Sequence, residues 1–166
     1  MIGIVGTSPR GHWRETEYGV VAHRRSLTTD EAYAVVARNS IACVRYPLSH
    51  VATRTSRVRY ARHAGTLYIA AWRNLDSWYE THPPELECDV SEVEGRSCWR
   101  YVWLRGRATP VHPTGVAGER QAWREAIAIL RRAVPNIPIA DDLAVANFGV
   151  VRMDIEFVEG AIVFWE

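Results

Sequence analysis

The sequence predicts a mainly β, α+β domain: a barrel of about six or seven strands with two or three packed helices. Three observations carry this. Alternating, β-branched and aromatic runs recur between Gly and Pro breaks, as short antiparallel strands do. Long helical periods occur only in 28–40 and 118–135. No repeat, linker or low-complexity tract divides the 166 residues, so 1–166 reads as one domain around one core.

Residues 1–26 have no clear period, and "GTSPRG" is a loop signal, so an N-terminal arm or edge strand is expected there. In "TTDEAYAVVARNS" Thr29 can cap a helix, and Asp30 and Glu31 suit its positive end. Ala32, Val35 and Val36 form its apolar stripe, and Asn39 can end it. "IACVRYP" reads as a strand stopped by Pro47. "SRVRYARHAGTLYIAA" reads as a hairpin that alternates over 56–63, turns at Gly65 and returns over 67–71. A short helix over 74–82 ends at Pro83-Pro84.

"ELECDV" is a third strand, followed by a charged turn at "SEVEGR". "CWRYVWLRGRATPV" is a long strand, weakened at Gly106 and stopped near Pro110. "GERQAWREAIAILRRAVP" is the clearest helix, with Trp123, Ile127, Leu130 and Val134 on one face. Glu119 lies early and Arg131 and Arg132 late, matching the helix dipole. "VVRMDIEFVEGAIVFWE" reads as a closing hairpin that turns at Glu159-Gly160. In it Val151, Met153, Ile155 and Phe157 face one way, and Arg152, Asp154 and Glu156 the other.

Net charge is +1, so no bulk field favours nucleic acid or an anionic membrane. No apolar run reaches the roughly 18 residues that span a bilayer, and no signal peptide is recognisable. The expectation is a soluble, cytoplasmic protein. All 20 basic residues are arginine. With no lysine there is no Schiff base and no P-loop ammonium, so a phosphate must be held by Arg forks, amides and hydroxyls. Cys43, Cys88 and Cys98 are widely spaced with no CxxC, and read as reduced core or half-buried thiols. The six histidines show no metal-ligand spacing, so no metal site is expected.

Chemistry concentrates at "LYIAAWRNLDSW". There a strand meets a helix start at Arg73 and Asn74, next to amides with no internal partner. Two readings stay open: an anion seat, or a plain cap with Arg73 paired on the surface. Arg57 and Arg59 share a strand face with His63, either as a positive wall for a phosphate or carboxylate or as a solvated face; Val58 and Tyr60 face the core. Arg54 and Arg62 extend the basic run, but it lacks the interleaved aromatics of a nucleic-acid surface. Trp99, Tyr101 and Trp103 share one face, as core or helix packing, a dimer contact, or a flavin or substrate wall.

The ordered set "RVRYARHAGTLYIAA", "ELECDVSEVEGRSCWRYVWLRGRATPV" and "FGVVRMDIEFVEG" resembles the flavin-binding split β-barrel proteins related to pyridoxamine 5′-phosphate oxidase. The resemblance covers roughly residues 28–165. It implies a split barrel that binds FMN in a groove between two copies and acts as an oxidoreductase on a small organic substrate. By position, it places ring contacts at Arg57, Val58, Arg59, Ala70 and Ala71, and the phosphate at the corner of Trp72, Arg73 and Asn74. No side chain is implied as a general base, and no catalytic residue is assigned. The turn before the short helix is shorter than the family's, and the family's lysine and strand proline are missing. Haem, deazaflavin or no cofactor at all are therefore the alternatives to FMN.

Overall fold

A computed structural model describes residues 22–49, 52–72, 85–111, 117–137 and 148–165, and its longest element is an 18-residue strand at the C-terminal end. The elements run β1 (Ala22–Ser26), α1 (Thr29–Arg38), β2 (Ile41–Ser49), β3 (Ala52–His63), β4 (Thr66–Trp72), β5 (Glu85–Glu94), β6 (Cys98–Val111), α2 (Ala117–Ala133) and β7 (Phe148–Trp165). All strand pairs are antiparallel. The order β7-β4-β3-β2-β5-β6 closes through β6–β7 into a six-stranded barrel, and β1 adds to β7 as an extra strand. Closure removes the exposed edges that an open sheet of this size would present. The short helix expected over 74–82 lies outside the described residues.

Each element follows from its residues, with some boundaries moved. Thr28, one residue before the expected cap, caps α1 through a capping box with Glu31. At the other end, Asn39 is the C-cap and its side-chain amide donates to the Val35 carbonyl at 2.8 Å. Pro47 does not stop β2: the strand continues to Ser49 past a bulge between Pro47 and Ser49. A bulge accommodates a residue that cannot donate to the ladder. The hairpin turn is Ala64-Gly65, with both residues at positive φ (47° and 82°). That is the conformation a two-residue hairpin turn demands.

Two expectations about turns are corrected. Ser91 to Glu94 extend β5, paired across to β6 as far as Glu94 opposite Cys98, and the turn is confined to 95–97. Likewise β7 has no hairpin: it runs through Glu159 and Gly160, paired with β6 from Phe164 to Val150. Gly160 serves close packing instead. A Cβ there would stand 2.9 Å from a Leu27 methyl and 3.0 Å from the Tyr101 carbonyl.

A bulge also changes the faces of β7. Arg105 pairs with Phe157 and Gly106 with Ile155, so Glu156 is the extra residue. Val151, Met153 and Ile155 face the core as expected, but beyond the bulge the parity flips. Val158 turns in, and Phe157 stands outside, 37% exposed.

The interior packs Tyr60, Leu67, Ile69, Val90, Val102, Leu104 and Met153, with Ala32, Val35 and Val36 of α1 in the same cluster. Each large side chain buried this way stabilises by roughly 1.5–3 kcal/mol. A second cluster lies on the outside, where Trp123, Ala126, Ile127 and Leu130 of α2 cover Ala61, Ala70 and Val150. Two layers of apolar contact thus hold β4 from both faces.

Candidate functional site

Register fixes where the hairpin opens. β3 and β4 pair from His63–Thr66 to Arg59–Ala70 and no further, although β3 begins at Ala52 and β4 ends at Trp72. The Tyr60 amide donates to the Ser40 carbonyl on the β2 side. Backbone groups alternate along a strand, so those of Val58 also face β2, while those of Arg57 and Arg59 face β4. On β4 the same parity turns Ala70 and Trp72 toward β3 and Ala71 toward β7. Arg57 and Trp72 are therefore the next hydrogen-bonded pair in register, and that pair is not formed. Their N–H and C=O groups line a seam with no ladder partner among the described residues.

The sequence-predicted residues divide around this seam. Arg57 and Trp72 offer main chain to it. Val58 is 5% exposed, with its side chain in the barrel core. Ala70, at 4%, lies beneath α2. Ala71 pairs with Gly149 on the far side. Arg57 and Arg59 are exposed on the outer face. Arg73 and Asn74, and the anion seat expected between them, lie outside the described residues. The pairing of Arg57 with Trp72 was computable once a two-residue turn at Ala64-Gly65 was assumed; that the ladder stops before it was not.

Beside Arg57 a groove of about 280 Å³ runs over β2, lined also by Asn39, Ser40, Cys43, Asp89 and Ser91. None of these five was singled out as a binding residue from sequence. Arg57, Cys43 and Asp89 form one cross-strand row. Burial pushes the Asp89 carboxyl up, against the pull of Arg45, which hydrogen-bonds it. Cys88, one position away, is fully buried, and burial pushes its thiol well up; it is no nucleophile.

The same outer face continues into an aromatic strip. Trp99 and Tyr101 have ring centroids 5.4 Å apart, and Trp103 meets Phe157 edge-on at 5.2 Å. Arg105 lies over both Trp103 and Phe157, and Arg24 over Tyr101. Val102 and Leu104, the alternate residues, fill the core, so the strip is not interior packing. The Trp103 indole N–H is buried without an acceptor among the described residues. A second cavity, of about 420 Å³, lies between α1 and the barrel. Its charges are matched: Arg25 with Glu31, Arg38 with Glu92 and Arg100 with Glu94. Among the described residues no group of three His, Cys, Asp or Glu gathers as a metal site, and no helix is long and apolar enough to cross a membrane.

The fold these features define is a split β-barrel. The chain is similar to a FAD-binding protein from Mesorhizobium loti, with 18% identity and a TM-score of 0.67 over 84% of this chain and 97% of that one. It is similar to a protein provisionally named as a pyridoxamine 5′-phosphate oxidase from Corynebacterium glutamicum, with 14% identity and a TM-score of 0.59 over 84% and 92%. It is also similar to a haem-binding protein from Mycobacterium smegmatis, with 14% identity and a TM-score of 0.54 over 76% of this chain and 50% of that one. At these identities the likeness is one of fold. No family model matches the sequence, and no curated protein does.

Proposed function

We propose that this chain is a flavin-dependent oxidoreductase that binds FMN in the groove of a homodimer and acts on a small organic substrate. The observation that supports it is the unformed pair at Arg57 and Trp72. A flavin's pyrimidine edge presents carbonyl acceptors and an N–H donor, which suits a strip of main chain offering both. Such contacts require no particular side chain, so a low sequence identity to flavin proteins is no obstacle. Arg73 and Asn74, next along the chain from Trp72, would receive the phosphate, with the guanidinium fork in place of the missing lysine. Bound there, FMN would supply the redox chemistry, while the chain orients the ring and excludes water.

The homodimer is supported by the aromatic strip. Phe157 is an exposed large apolar side chain, packed edge-on against Trp103. A second copy would cover Phe157 and the aromatic strip beside it. The reading is of a cytoplasmic enzyme, since three unpaired cysteines suit a reducing compartment. Haem on the same barrel is the second reading, favoured by the haem-binding neighbour and by exposed His63 near the hairpin turn.

One measurement separates these. The absorption spectrum of the purified protein, before and after added FMN, is expected to show a flavin band and saturable quenching of flavin fluorescence. A Soret band would favour haem, and a protein that leaves added FMN unquenched would end the flavin reading. Sedimentation tests the dimer: Phe157→Glu is expected to yield monomers, and a wild-type protein that stays monomeric at high concentration would remove the interface.

A further inference from the structure

The cavity between α1 and the barrel is built from two facing surfaces. On the sheet, one cross-strand row runs Glu92, Arg100, Ile162 and Arg25, from β5 through β6 and β7 to β1. All four residues line the cavity. From the other side Glu31, Ala34, Val35 and Arg38 of α1 line it, at the spacing of one helix face.

Ion pairs of opposite sense close the two ends. Arg25 of the sheet meets Glu31 of the helix at 2.8 Å, and Glu92 of the sheet meets Arg38 of the helix at 3.0 Å. Val35 and Ile162, set between these ends, are buried, so the cavity has a closed apolar floor. Arg100 stands directly across from Glu92 and pairs with Glu94 at the end of β5. Charge therefore alternates: Arg38, Glu92, Arg100 and Glu94 follow one another as cation, anion, cation, anion.

Opposed side chains on an antiparallel pair start about 5 Å apart. Neighbouring charges of opposite sign at that spacing suit a molecule that carries a carboxylate and an ammonium on one carbon. A lone carboxylate would gain the arginines but crowd the glutamates, and a lone ammonium the reverse; the described lining holds three of each. The ion pairs are partly exposed, and such pairs contribute little singly, so exchanging one partner for a ligand's charge costs little.

We propose that this cavity binds a small zwitterion, an α-amino acid with an aliphatic side chain. Its two charges lie in the run Arg38, Glu92 and Arg100, and its side chain lies against Val35 and Ile162. The volume of about 420 Å³ falls within the range of small-ligand pockets. The cavity shares no lining residue with the seam at Arg57 and Trp72, so the site does not depend on the flavin reading.

The test is calorimetric titration of the purified protein at low salt with leucine, isocaproate, isopentylamine and glycine. Leucine is expected to saturate one site per chain. Isocaproate lacks the ammonium, isopentylamine the carboxylate and glycine the side chain, and each should bind about tenfold weaker or more. Ala34→Leu puts a larger side chain into the cavity, keeps a strong helix former and leaves every ion pair in place. It should lower leucine affinity about tenfold or more with the melting temperature unchanged. The double variant Arg38→Gln/Glu92→Gln removes one cation and one anion together and should lower the affinity likewise. No saturable binding of leucine overturns the proposal, as does any of the other three ligands binding as tightly. Leucine affinity unchanged in both variants puts the ligand elsewhere and overturns it too. Should a variant fail to fold, the comparison of the four ligands on the wild type still decides.

Discussion

Arg59 on β3 faces Ala70 on β4 as the last closed pair of the hairpin, and Arg57 and Trp72, next in register, remain apart. Amides without a ladder partner open to solvent more readily than paired ones. The Arg57 and Trp72 amides are therefore expected to exchange about tenfold faster or more than those of Arg59 and Ala61. FMN should slow the first pair and leave the second unchanged. Hydrogen exchange read by NMR checks this, and equal protection of all four amides in the free protein would mean the seam is closed.

Tyr60 ties the barrel to α1. Its phenol, fully buried, donates to the Val36 carbonyl at 2.7 Å. Val36 lies in the last turn of α1, where carbonyls have no partner within the helix. Burial holds the phenol well above its ordinary range, so it stays protonated and able to donate. Tyr60→Phe should cost about 1–3 kcal/mol, because the carbonyl stays buried and unsatisfied. Urea unfolding should show a lower midpoint at unchanged slope, with flavin binding unaltered in the folded protein.

Gly106 is fixed by the β7 bulge. A Cβ built there would fall 2.1 Å from the Asp154 carbonyl oxygen, which is backbone and cannot swing aside. Gly106→Ala is expected to cost about 3 kcal/mol or more, or to block folding. Deleting Glu156 as well should recover part of the loss by removing the bulge. Thermal melts of the single and double variants check this; a Gly106→Ala protein as stable as wild type would contradict the bulge geometry.

Glu31 links pH to stability. It takes a bidentate contact from Arg25 and accepts from the Thr28 amide. Those bonds, Arg25's first, lower its carboxyl from 4.5 to about 2. A depressed acid stabilises the fold above its unfolded pKa and loses that contribution as pH falls through the folded one. The stability gap between wild type and Glu31→Gln should hold steady above pH 4.5 and close between there and about 2. Urea midpoints across that range provide the check, and a gap independent of pH would rule out the charged pair as its source.

Much of the fold was legible because local and tertiary preferences agree. Ala32, Val35 and Val36 on α1, and Trp123, Ile127 and Leu130 on α2, are buried as their periods require. Val58 and Tyr60 alternate into the core, with Arg57 and Arg59 outside. Failure came where a local signal had a long-range cause. Glu159-Gly160 has the composition of a turn, but Gly160 is there to let Leu27 and the Tyr101 carbonyl approach. Ser91, Glu92 and Glu94 are polar because they lie at the end of a strand, not in a loop.

The candidate site divides along the same line. Sequence determined that β3 carries Arg57 and Arg59 on one face and that any phosphate must be met by guanidinium, amides or hydroxyls, since there is no lysine. Strand parity is a covalent property of the chain, so it survives without knowledge of the partners. Only the tertiary structure decided which arginines are neutralised, where the β3–β4 ladder stops, and that Asp89 and Ser91 from β5 come to stand near Arg57. Those depend on which strands become neighbours when the barrel closes, and closure balances burial over the whole chain.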